Sequence, residues 1–499
     1  MSKTATTRRH VLRGLGSAGV VGAIPAAFSY SAPALAQGTG RQGQPNIVLI
    51  VVDTLRRDHV GIYGNDWIQT PAFDQLGAES ARFARATPEA MPTIPARRAI
   101  HTGRRSFPFR DWDRRAGNGT SVWGWQHIPE DQRTLAETLR DGGYRTMLIT
   151  DVPHQFSPSM NFSRGFNVVQ WVRGQEGDPY RPIWSVPAAD LSRFQFRDAT
   201  GAELYSKNEN IGLANELRQY LANIEGRRSE EDHFAAKVFR SAAEALQDVP
   251  RDRPFFLTVD SFDPHEPWDP PRHYADTYYD GDWEAPEPVS PRYGQADYLT
   301  DDQLSRMRAL YAGEVAMTDR WVGFFMQKLH DMRLLDDTVI VFVSDHGMAL
   351  GEHGALGKPS FALWPEMTDV PFFLRHPNGT GADTEIDDFA STHDIAPTLL
   401  SLAGLEPRDP LDGLDLSGRI AGDADGGRGH FTSGLNDWVW VSDRSHTMFS
   451  RNDGSEARLY DIVADPGQQT DIAADNPQIV SRLYDLVLED AGGEPLPTY

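Results

Sequence analysis

Thr93 and Arg97 are the first residues in this chain whose types and spacing suggest chemistry. Pro95 lies between them and suits the first turn of a helix, because the N–H that it lacks has no partner there in any case. Residues from about Ala96 onward are predicted to be helical, so the Thr93 hydroxyl would lie just before a helix N-terminus that favours an anion. Arg97 would offer a guanidinium fork to a tetrahedral oxyanion. The alternative is an ordinary capped helix with surface arginines.

Carboxylates follow two apolar runs that are typical of strands buried on both faces. Asn46–Val52 is followed by Asp53, and Thr338–Val343 is followed, after one residue, by Asp345 and His346. Open α/β sheets build their sites at the carboxyl ends of their strands, so we expect these side chains to meet. A single aspartate at a strand end is more often a turn or cap residue, but two such ends beside the predicted helix favour a site.

One divalent cation would fit the side chains that this arrangement brings together. Asp53, Asp345 and His346 offer oxygen and nitrogen ligands, and the Thr93 hydroxyl adds a fourth. An unactivated threonine is a weak nucleophile and needs a metal or a base. The sequence therefore predicts a metal ion beside the candidate nucleophile.

The order of elements predicts an α/β fold, with a largely parallel sheet sandwiched by helices. Residues 44–405 alternate between helical patterns, as in Met317–Met332, and short apolar runs of strand composition: Tyr144–Ile149, Pro254–Val259 and Pro371–Leu374. Residues 406–499 carry hairpin signals and a last helical pattern at Pro477–Leu488. We therefore predict a catalytic α/β domain over 44–405 and a small C-terminal α+β subdomain, with a small antiparallel sheet, over 406–499.

The first 36 residues have the composition of a targeting segment. Arg8 and Arg9 lie in a stretch that resembles the twin-arginine export signature, a weakly apolar stretch follows, and Ala34–Ala36 fits a cleavage site. We predict removal of residues 1–36 and a periplasmic or secreted location. The alternative, an ordinary secretory signal with a fortuitous arginine pair, changes the route but not the destination.

The acidic composition argues against nucleic acid as a partner. The formal net charge is −23 and becomes −27 once the four basic residues of the targeting segment are removed, whereas phosphate backbones require a basic face. The alternative meaning of this charge is solubility of an exported protein. Beyond the targeting segment no apolar run is long enough to span a membrane, and the absence of cysteine excludes disulfides. Nothing in the sequence indicates the oligomeric state.

The stretch from Thr93 to Arg104 resembles the signature of the sulfatase family, within the alkaline-phosphatase superfamily. A nucleophile position is followed by proline two residues on, arginine four residues on, and Thr102-Gly103-Arg104. Further segments are similar to elements of the same family: Asn46–Arg56, Thr134–Thr146, Asp263–Pro271, Asp394–Gly404 and Leu459–Gly467. Sulfatases carry cysteine or serine at the first position and oxidise it to formylglycine, whereas threonine cannot form an aldehyde. The nucleophile here resembles that of threonine-dependent phosphatases and phosphodiesterases of the superfamily.

The resemblance implies a role for each matching residue. The implied metal ligands are Asp53, Thr93, Asp345 and His346. Most sulfatases use Ca²⁺, while an imidazole ligand favours Mn²⁺ or Zn²⁺. Thr93 would be the nucleophile, and Arg97, His265 and Lys358 would contact the sulfuryl or phosphoryl group. His265 could also protonate the leaving oxygen.

Two departures from the sulfatase pattern bear on function. A single aspartate at the first strand, Asp53, and an Asp-His pair at the later strand resemble phosphonate and phosphate ester hydrolases and their sulfatase relatives. Many sulfatases carry Lys-Trp-His after the strand that matches Tyr144–Ile149, whereas this chain continues with Thr150–His154 and lacks the lysine. His154 has two equal interpretations, as a replacement for the missing catalytic histidine and as a loop-packing residue.

The leading hypothesis is an exported, metal-dependent hydrolase that cleaves small-molecule sulfate or phosphate esters through Thr93. One alternative is a transferase that passes a phosphoryl-bearing group from Thr93 to an alcohol. Another is an inactive homologue that only binds an anion, although retention of the whole set of candidate residues argues against it. The leaving-group alcohol cannot be deduced from the sequence.

Overall fold

Eight strands form a central mixed sheet in the order β11-β2-β10-β7-β1-β5-β3-β4. In the computed structural model the strands are β1 (Asn46–Val52), β2 (Ala81–Thr87), β3 (Arg145–Thr150), β4 (Val168–Trp171), β5 (Phe255–Ser261), β6 (Gly294–Gln295), β7 (Thr338–Ser344), β8 (Ala349–Leu350), β9 (Ala355–Gly357), β10 (Phe372–Arg375), β11 (Thr384–Ser391), β12 (His430–Leu435), β13 (Trp438–Asp443), β14 (His446–Arg451) and β15 (Arg458–Asp461). Only β10 runs antiparallel to its neighbours in the described part of this sheet. The predicted, largely parallel sheet is therefore confirmed.

The structure describes residues 43–113, 120–156, 159–186, 188–198, 201–204, 213–423 and 427–499. The predicted targeting segment at 1–36 lies outside these ranges. The described residues belong to one compact unit.

Helices cover both faces of the central sheet. They are α1 (Pro71–Ala78), α2 (Thr93–Thr102), α3 (Leu135–Asp141), α4 (Leu213–Ile224), α5 (Phe234–Gln247), α6 (Arg272–Thr277), α7 (Asp301–Asp331), α8 (Pro365–Thr368), α9 (Ile395–Leu402), α10 (Ser417–Ile420) and α11 (Pro477–Asp490). Successive residues of β1 point to opposite faces, as strand geometry requires. Val48 and Ile50 pack with apolar side chains of α1, α5 and α7, whereas Ile47 and Leu49 pack with those of α3 and α9.

A second, antiparallel sheet of four strands, β12 to β15, forms the C-terminal part of the fold. Val439 and Val441 on one of its faces pack against Leu483 and Val487 of α11. The other face contributes aromatic residues to a cluster with Met91, next to the candidate nucleophile. The predicted C-terminal antiparallel sheet and last helix are thus present, and the sheet packs against the segment that precedes α2.

The start of α2 differs from the prediction. The helix begins at Thr93 itself, with Pro92 as its N-cap, rather than near Ala96. Pro95 is compatible with this start because the first four N–H groups of a helix have no intrahelical partner. Thr93 is therefore the first residue of the helix instead of lying just before it.

Candidate active site

Two parallel strands deliver Asp53 and Asp345 to the same edge of the sheet. β1 and β7 are paired so that Val52 lies opposite Ser344, which makes the two aspartates that follow them neighbours. The Thr54 N–H donates to Asp345 Oδ1 over 3.0 Å and fixes that carboxylate. Both carboxylates are fully buried. The prediction that these strand ends meet is confirmed by the geometry.

His346 turns one ring nitrogen toward these carboxylates. Its Nδ1 lies 2.8 Å from the Gly347 carbonyl oxygen, which can only accept, so Nδ1 carries the proton and Nε2 carries a lone pair. Nε2 lies 3.5 Å from Asp345 and 4.0 Å from Asp53. Burial, followed by the charge of Lys358, lowers the pKa of His346 to about 4. The imidazole is therefore neutral at ordinary pH, the form that binds metals.

Thr93 lies against this group at the start of α2. Its Oγ1 is 3.4 Å from His346 Nε2, and the side chain is almost completely buried. The hydroxyl can donate toward the lone pair of Nε2, and its own lone pairs remain available. The structure thus brings together all four residues for which a metal-binding role was predicted.

Arg97 cross-links three carboxylates beneath the candidate nucleophile. Its Nε and Nη2 donate to the two oxygens of Asp260 over 2.9 and 2.7 Å. Its Nη1 donates to Asp345 and lies 2.9 Å from Asp53 Oδ2. The guanidinium fork therefore engages carboxylates of this chain, and it joins α2 to the ends of β1, β5 and β7.

The donor set fits a divalent cation. Three buried carboxylates, those of Asp53, Asp260 and Asp345, face the single guanidinium of Arg97, which leaves an excess of negative charge in a site without solvent. Asp53 Oδ2 lies 2.9 Å from Arg97 Nη1, but it makes no hydrogen bond of good geometry with any described residue. Burial, together with the charge of Asp345, raises the pKa of Asp53 to about 7. A cation bound between Asp53, Asp345 and His346, whose candidate ligand atoms lie within 4.8 Å of one another, would remove this imbalance.

His265 and Lys358 form a second contact pair. Lys358 Nζ lies 2.7 Å from His265 Nε2, and His265 Nδ1 lies 2.8 Å from the Glu266 carbonyl oxygen. Because that carbonyl accepts from Nδ1, Nε2 is the acceptor for the ammonium group. The ring of His265 stacks on Phe262 with centroids 4.0 Å apart. A proton shared between Lys358 and His265 can be passed to a bound oxygen.

The loop after β3 places His154 against a carboxylate. His154 Nε2 lies 3.1 Å from Glu176 Oε2, and its ring makes edge contacts with Trp125 and Phe262. Phe262 in turn stacks on His265. His154 is therefore one aromatic ring away from the Lys358–His265 pair, and its contacts are compatible with both of the roles that the sequence left open.

The sequence also matches a known protein family. The profile of the sulfatase family matches residues 45–405.

The chain belongs to the sulfatase family of ester hydrolases.

This sulfatase-family chain has relatives with several activities. It is 26% identical over 456 residues to an arylsulfatase of Clostridium perfringens, and the alignment covers 86% of this chain and 90% of the relative. It is 26% identical over 409 residues to the multifunctional alkaline phosphatase superfamily protein PehA of Trinickia caryophylli, covering 74% and 76%. The crystal structure of the phosphonate monoester hydrolase of Agrobacterium radiobacter superposes with a TM-score of 0.69 at 22% identity, covering 89% and 95%. The fold is therefore that of sulfatases and phosphonate monoester hydrolases.

Across the ranges that the structure describes, every helix is too short or too polar to cross a lipid bilayer.

Several residues at or near the candidate site were not predicted from the sequence. Asp260, which holds Arg97, lies at the carboxyl end of β5, and Asp151 directly follows β3. Glu266 is buried, and its carboxylate accepts a hydrogen bond from the Tyr293 hydroxyl, beside the Lys358–His265 pair. The two aspartates carry the same strand-end signal that identified Asp53, whereas the Tyr293–Glu266 contact has no sequence signal.

Proposed function

We propose that this sulfatase-family protein is an exported, metal-dependent hydrolase that prefers phosphate esters to sulfate esters and uses Thr93 as its nucleophile. We also propose residues 1–36 as the export signal, 44–405 as the catalytic domain and 406–499 as a C-terminal subdomain. The observation that carries the proposal is the position of the Thr93 hydroxyl, at the start of α2 and 3.4 Å from His346 Nε2.

The identity of the nucleophile decides which ester is favoured. A formylglycine hydrate can expel sulfate by collapsing back to the aldehyde, which breaks a C–O bond and requires no attack on sulfur. An ester of Thr93 has no second hydroxyl with which to expel the group. Its release requires water to attack the sulfur or phosphorus centre directly. Attack of water on phosphorus is well suited to a site of this kind. We therefore infer that phosphate mono- or diesters are better substrates than sulfate esters.

The metal would be held by Asp53, Asp345, His346 and the Thr93 oxygen. When bound, a divalent cation supplies Lewis-acid polarisation of the ester and stabilises a deprotonated nucleophile. The residues of the chain contribute the rest. Arg97 fixes the positions of the carboxylates, and Lys358 provides positive charge for the transferred group.

The leaving group would be protonated by His265. Lys358 Nζ lies against His265 Nε2, so the two residues together can hold a proton where the leaving oxygen departs. The Glu266 carbonyl fixes the ring through Nδ1. This arrangement meets the requirement that a general acid be oriented by a third group.

A substrate panel tests the proposal directly. Purified protein should hydrolyse aryl phosphate mono- or diesters with a kcat/KM at least about tenfold higher than that for the matched aryl sulfate, a difference of about 1.4 kcal/mol in activation free energy. Phosphonate esters and added alcohols complete the panel. Faster cleavage of the sulfate ester than of the phosphate ester would contradict the preference inferred from Thr93. Transfer of the phosphoryl group to the alcohol in preference to water would favour a transferase. No turnover of any ester would favour an anion-binding homologue.

Metal dependence is a separate expectation. Elemental analysis of the purified protein should find one divalent cation per chain, and chelation should abolish turnover, with recovery on adding Ca²⁺, Mn²⁺ or Zn²⁺. Asp345→Ala should lose both metal and activity, because it removes a buried ligand. Asp387→Asn, at a carboxylate that is 65% exposed, is the matched control and should keep both. Full turnover by protein stripped of metal would rule the site out.

The acid role of His265 predicts a dependence on the leaving group. His265→Ala should slow esters of poorly acidic alcohols by roughly 10²- to 10⁴-fold and esters of acidic phenols much less, because only the former need protonation. Lys358→Ala should instead slow the whole series by roughly 10²- to 10³-fold, as loss of a donor to the transferred group. The slope of log kcat against leaving-group pKa measures the difference. Equal losses across the series in His265→Ala would refute the acid role.

A further inference from the structure

A cavity of about 450 Å³ lies behind the loop that carries His265, and none of the predicted catalytic or metal-binding residues lines it. Leu221, Trp268, Val289 and Leu310 contribute apolar side chains to its lining. A volume of this size is in the range of small-molecule sites in proteins. The cavity is therefore large enough for a compact organic ligand.

Two arginines at this cavity share one carboxylate. Arg193 Nη2 lies 3.3 Å from Asp269 Oδ2, and Arg227 Nη1 lies 3.4 Å from the same oxygen. Charge-assisted hydrogen bonds are normally about 2.7–2.9 Å, so both contacts are loose. The Arg193 side chain is 52% exposed, so the rest of its guanidinium fork can reach a ligand. The two guanidinium groups together also carry one positive charge that Asp269 does not balance.

Aromatic rings hold Arg227 in place. Its guanidinium lies over the rings of Tyr220 and Phe234, with centroid distances of 5.8 and 5.7 Å. The Tyr220 hydroxyl accepts a further bond from Nη2 over 3.2 Å. A guanidinium fixed in this way loses little conformational freedom when it binds an anion.

The other charged groups at the cavity have partners of their own. Arg306 donates to both oxygens of Glu287 over 2.8 and 2.7 Å. Arg272 pairs with Asp276 over 3.0 Å. Glu225 lies at the exposed rim, and its ion-pair partner is 3.9 Å away. Arg193 and Arg227 are thus the groups with capacity left for a ligand.

His233 adds a polar side chain to the lining of the cavity. The residue as a whole is only 7% exposed. Burial, with the charges of Arg227 and Lys237, lowers the pKa of His233 to about 3. A neutral imidazole offers one donor and one acceptor, which suits a hydroxyl group.

We propose that this cavity binds a small hydroxylated organic acid. Arg193 and Arg227 hold its carboxylate or other oxyanion, His233 bonds to a hydroxyl group, and the apolar lining side chains, Trp268 among them, contact the body of the ligand. The site is separate from the Thr93 centre, so the proposal does not depend on the identity of the nucleophile.

Calorimetric titration of the full-length protein tests this site with three probes. Glucuronate carries a carboxylate and ring hydroxyls, glucose has the same ring without the charge, and inorganic sulfate has the charge without the ring. Glucuronate should bind, and glucose should bind at least about tenfold more weakly, because only the carboxylate can form charge-assisted hydrogen bonds with the two arginines.

Variants locate the binding. Arg193→Gln, at a side chain that is half exposed, and Arg227→Lys, which keeps the charge but loses the fork, should each weaken glucuronate binding by about tenfold or more. Arg320→Gln, which removes an equal charge from a surface ion pair elsewhere, should leave it unchanged, as should Lys358→Gln at the catalytic site. Circular dichroism establishes that each variant is folded.

Three outcomes would overturn the proposal. Glucuronate could fail to bind the wild-type protein, or glucose could bind equally well. Sulfate could bind while glucuronate does not, which would exclude an organic acid. Finally, Lys358→Gln could abolish glucuronate binding while Arg193→Gln preserves it, which would place the probe in the catalytic site.

Discussion

Replacing Thr93 by alanine is expected to lower the turnover of a phosphate ester by roughly 10⁴-fold or more, the scale of loss seen when a catalytic nucleophile is removed. The hydroxyl is buried, begins α2 and lies 3.4 Å from His346 Nε2, beside the candidate metal ligands, so its loss removes the proposed attacking group. Thr93→Ser keeps the hydroxyl and should retain substantial turnover. Thr102→Ala, at the last residue of the same helix, is the matched control and should be nearly as active as the wild type.

Mass spectrometry supplies the second half of this test. The intact protein should carry an unmodified threonine at position 93, and rapid acid quenching during turnover should trap a phosphorylated or alkyl-phosphorylated peptide that contains it. The same peptide from Thr93→Ala should carry no label. Wild-type rates in Thr93→Ala, or a label on another residue, would remove Thr93 from the mechanism.

Much of the fold could be predicted because its signals are local. The apolar runs at Asn46–Val52 and Thr338–Val343 correspond to β1 and to six of the seven residues of β7. The antiparallel direction of β10 was not predicted, because a buried strand of four residues has the same composition in either direction. The apolar pattern was therefore sufficient to predict which segments form strands. The direction of a strand depends on the connections before and after it, which the local pattern does not encode.

The site was predictable where a strand end supplied the residue. The rule that identified Asp53 and Asp345 applies equally to Asp260, which follows the predicted run Pro254–Val259, so that residue could have been found. The pairing of Arg97 with Asp260 could not have been predicted from the sequence. Arg97 and Asp260 are 163 residues apart, and only the completed sheet places them in contact.

The long-range contacts of Arg97 change the meaning of a mutation there. The sequence suggested a guanidinium aimed at the substrate oxyanion, but the structure commits Nε and Nη2 to Asp260 and Nη1 to Asp345. An arginine between three buried carboxylates is expected to contribute to folding, whatever its role in catalysis. Loss of activity in an Arg97 variant is therefore ambiguous until stability has been measured.

Arg97→Gln is expected to lower the free energy of unfolding by about 3–5 kcal/mol, because removing one partner of a buried ion pair leaves the others uncompensated. The residue is fully buried, so solvent cannot replace the lost charge. Arg97→Lys keeps the charge but loses the bidentate contact, and should have a smaller effect. Arg85→Gln breaks an ion pair with Asp387, whose side chain is 65% exposed. This substitution should lower the free energy of unfolding by less than about 1 kcal/mol. Chemical denaturation in the presence of a chelator measures all three.

Comparison with Lys358 separates the two possible roles of Arg97. Lys358→Ala should lose turnover with little change in the denaturation midpoint, because its partly buried ammonium faces His265 and the space for the transferred group. Arg97→Gln should lose both turnover and stability. If Arg97→Gln unfolded at the wild-type denaturant concentration while losing turnover, its main role would be contact with the substrate anion. The interpretation that Arg97 stabilises the fold by linking α2 to the strand-end carboxylates would then be wrong.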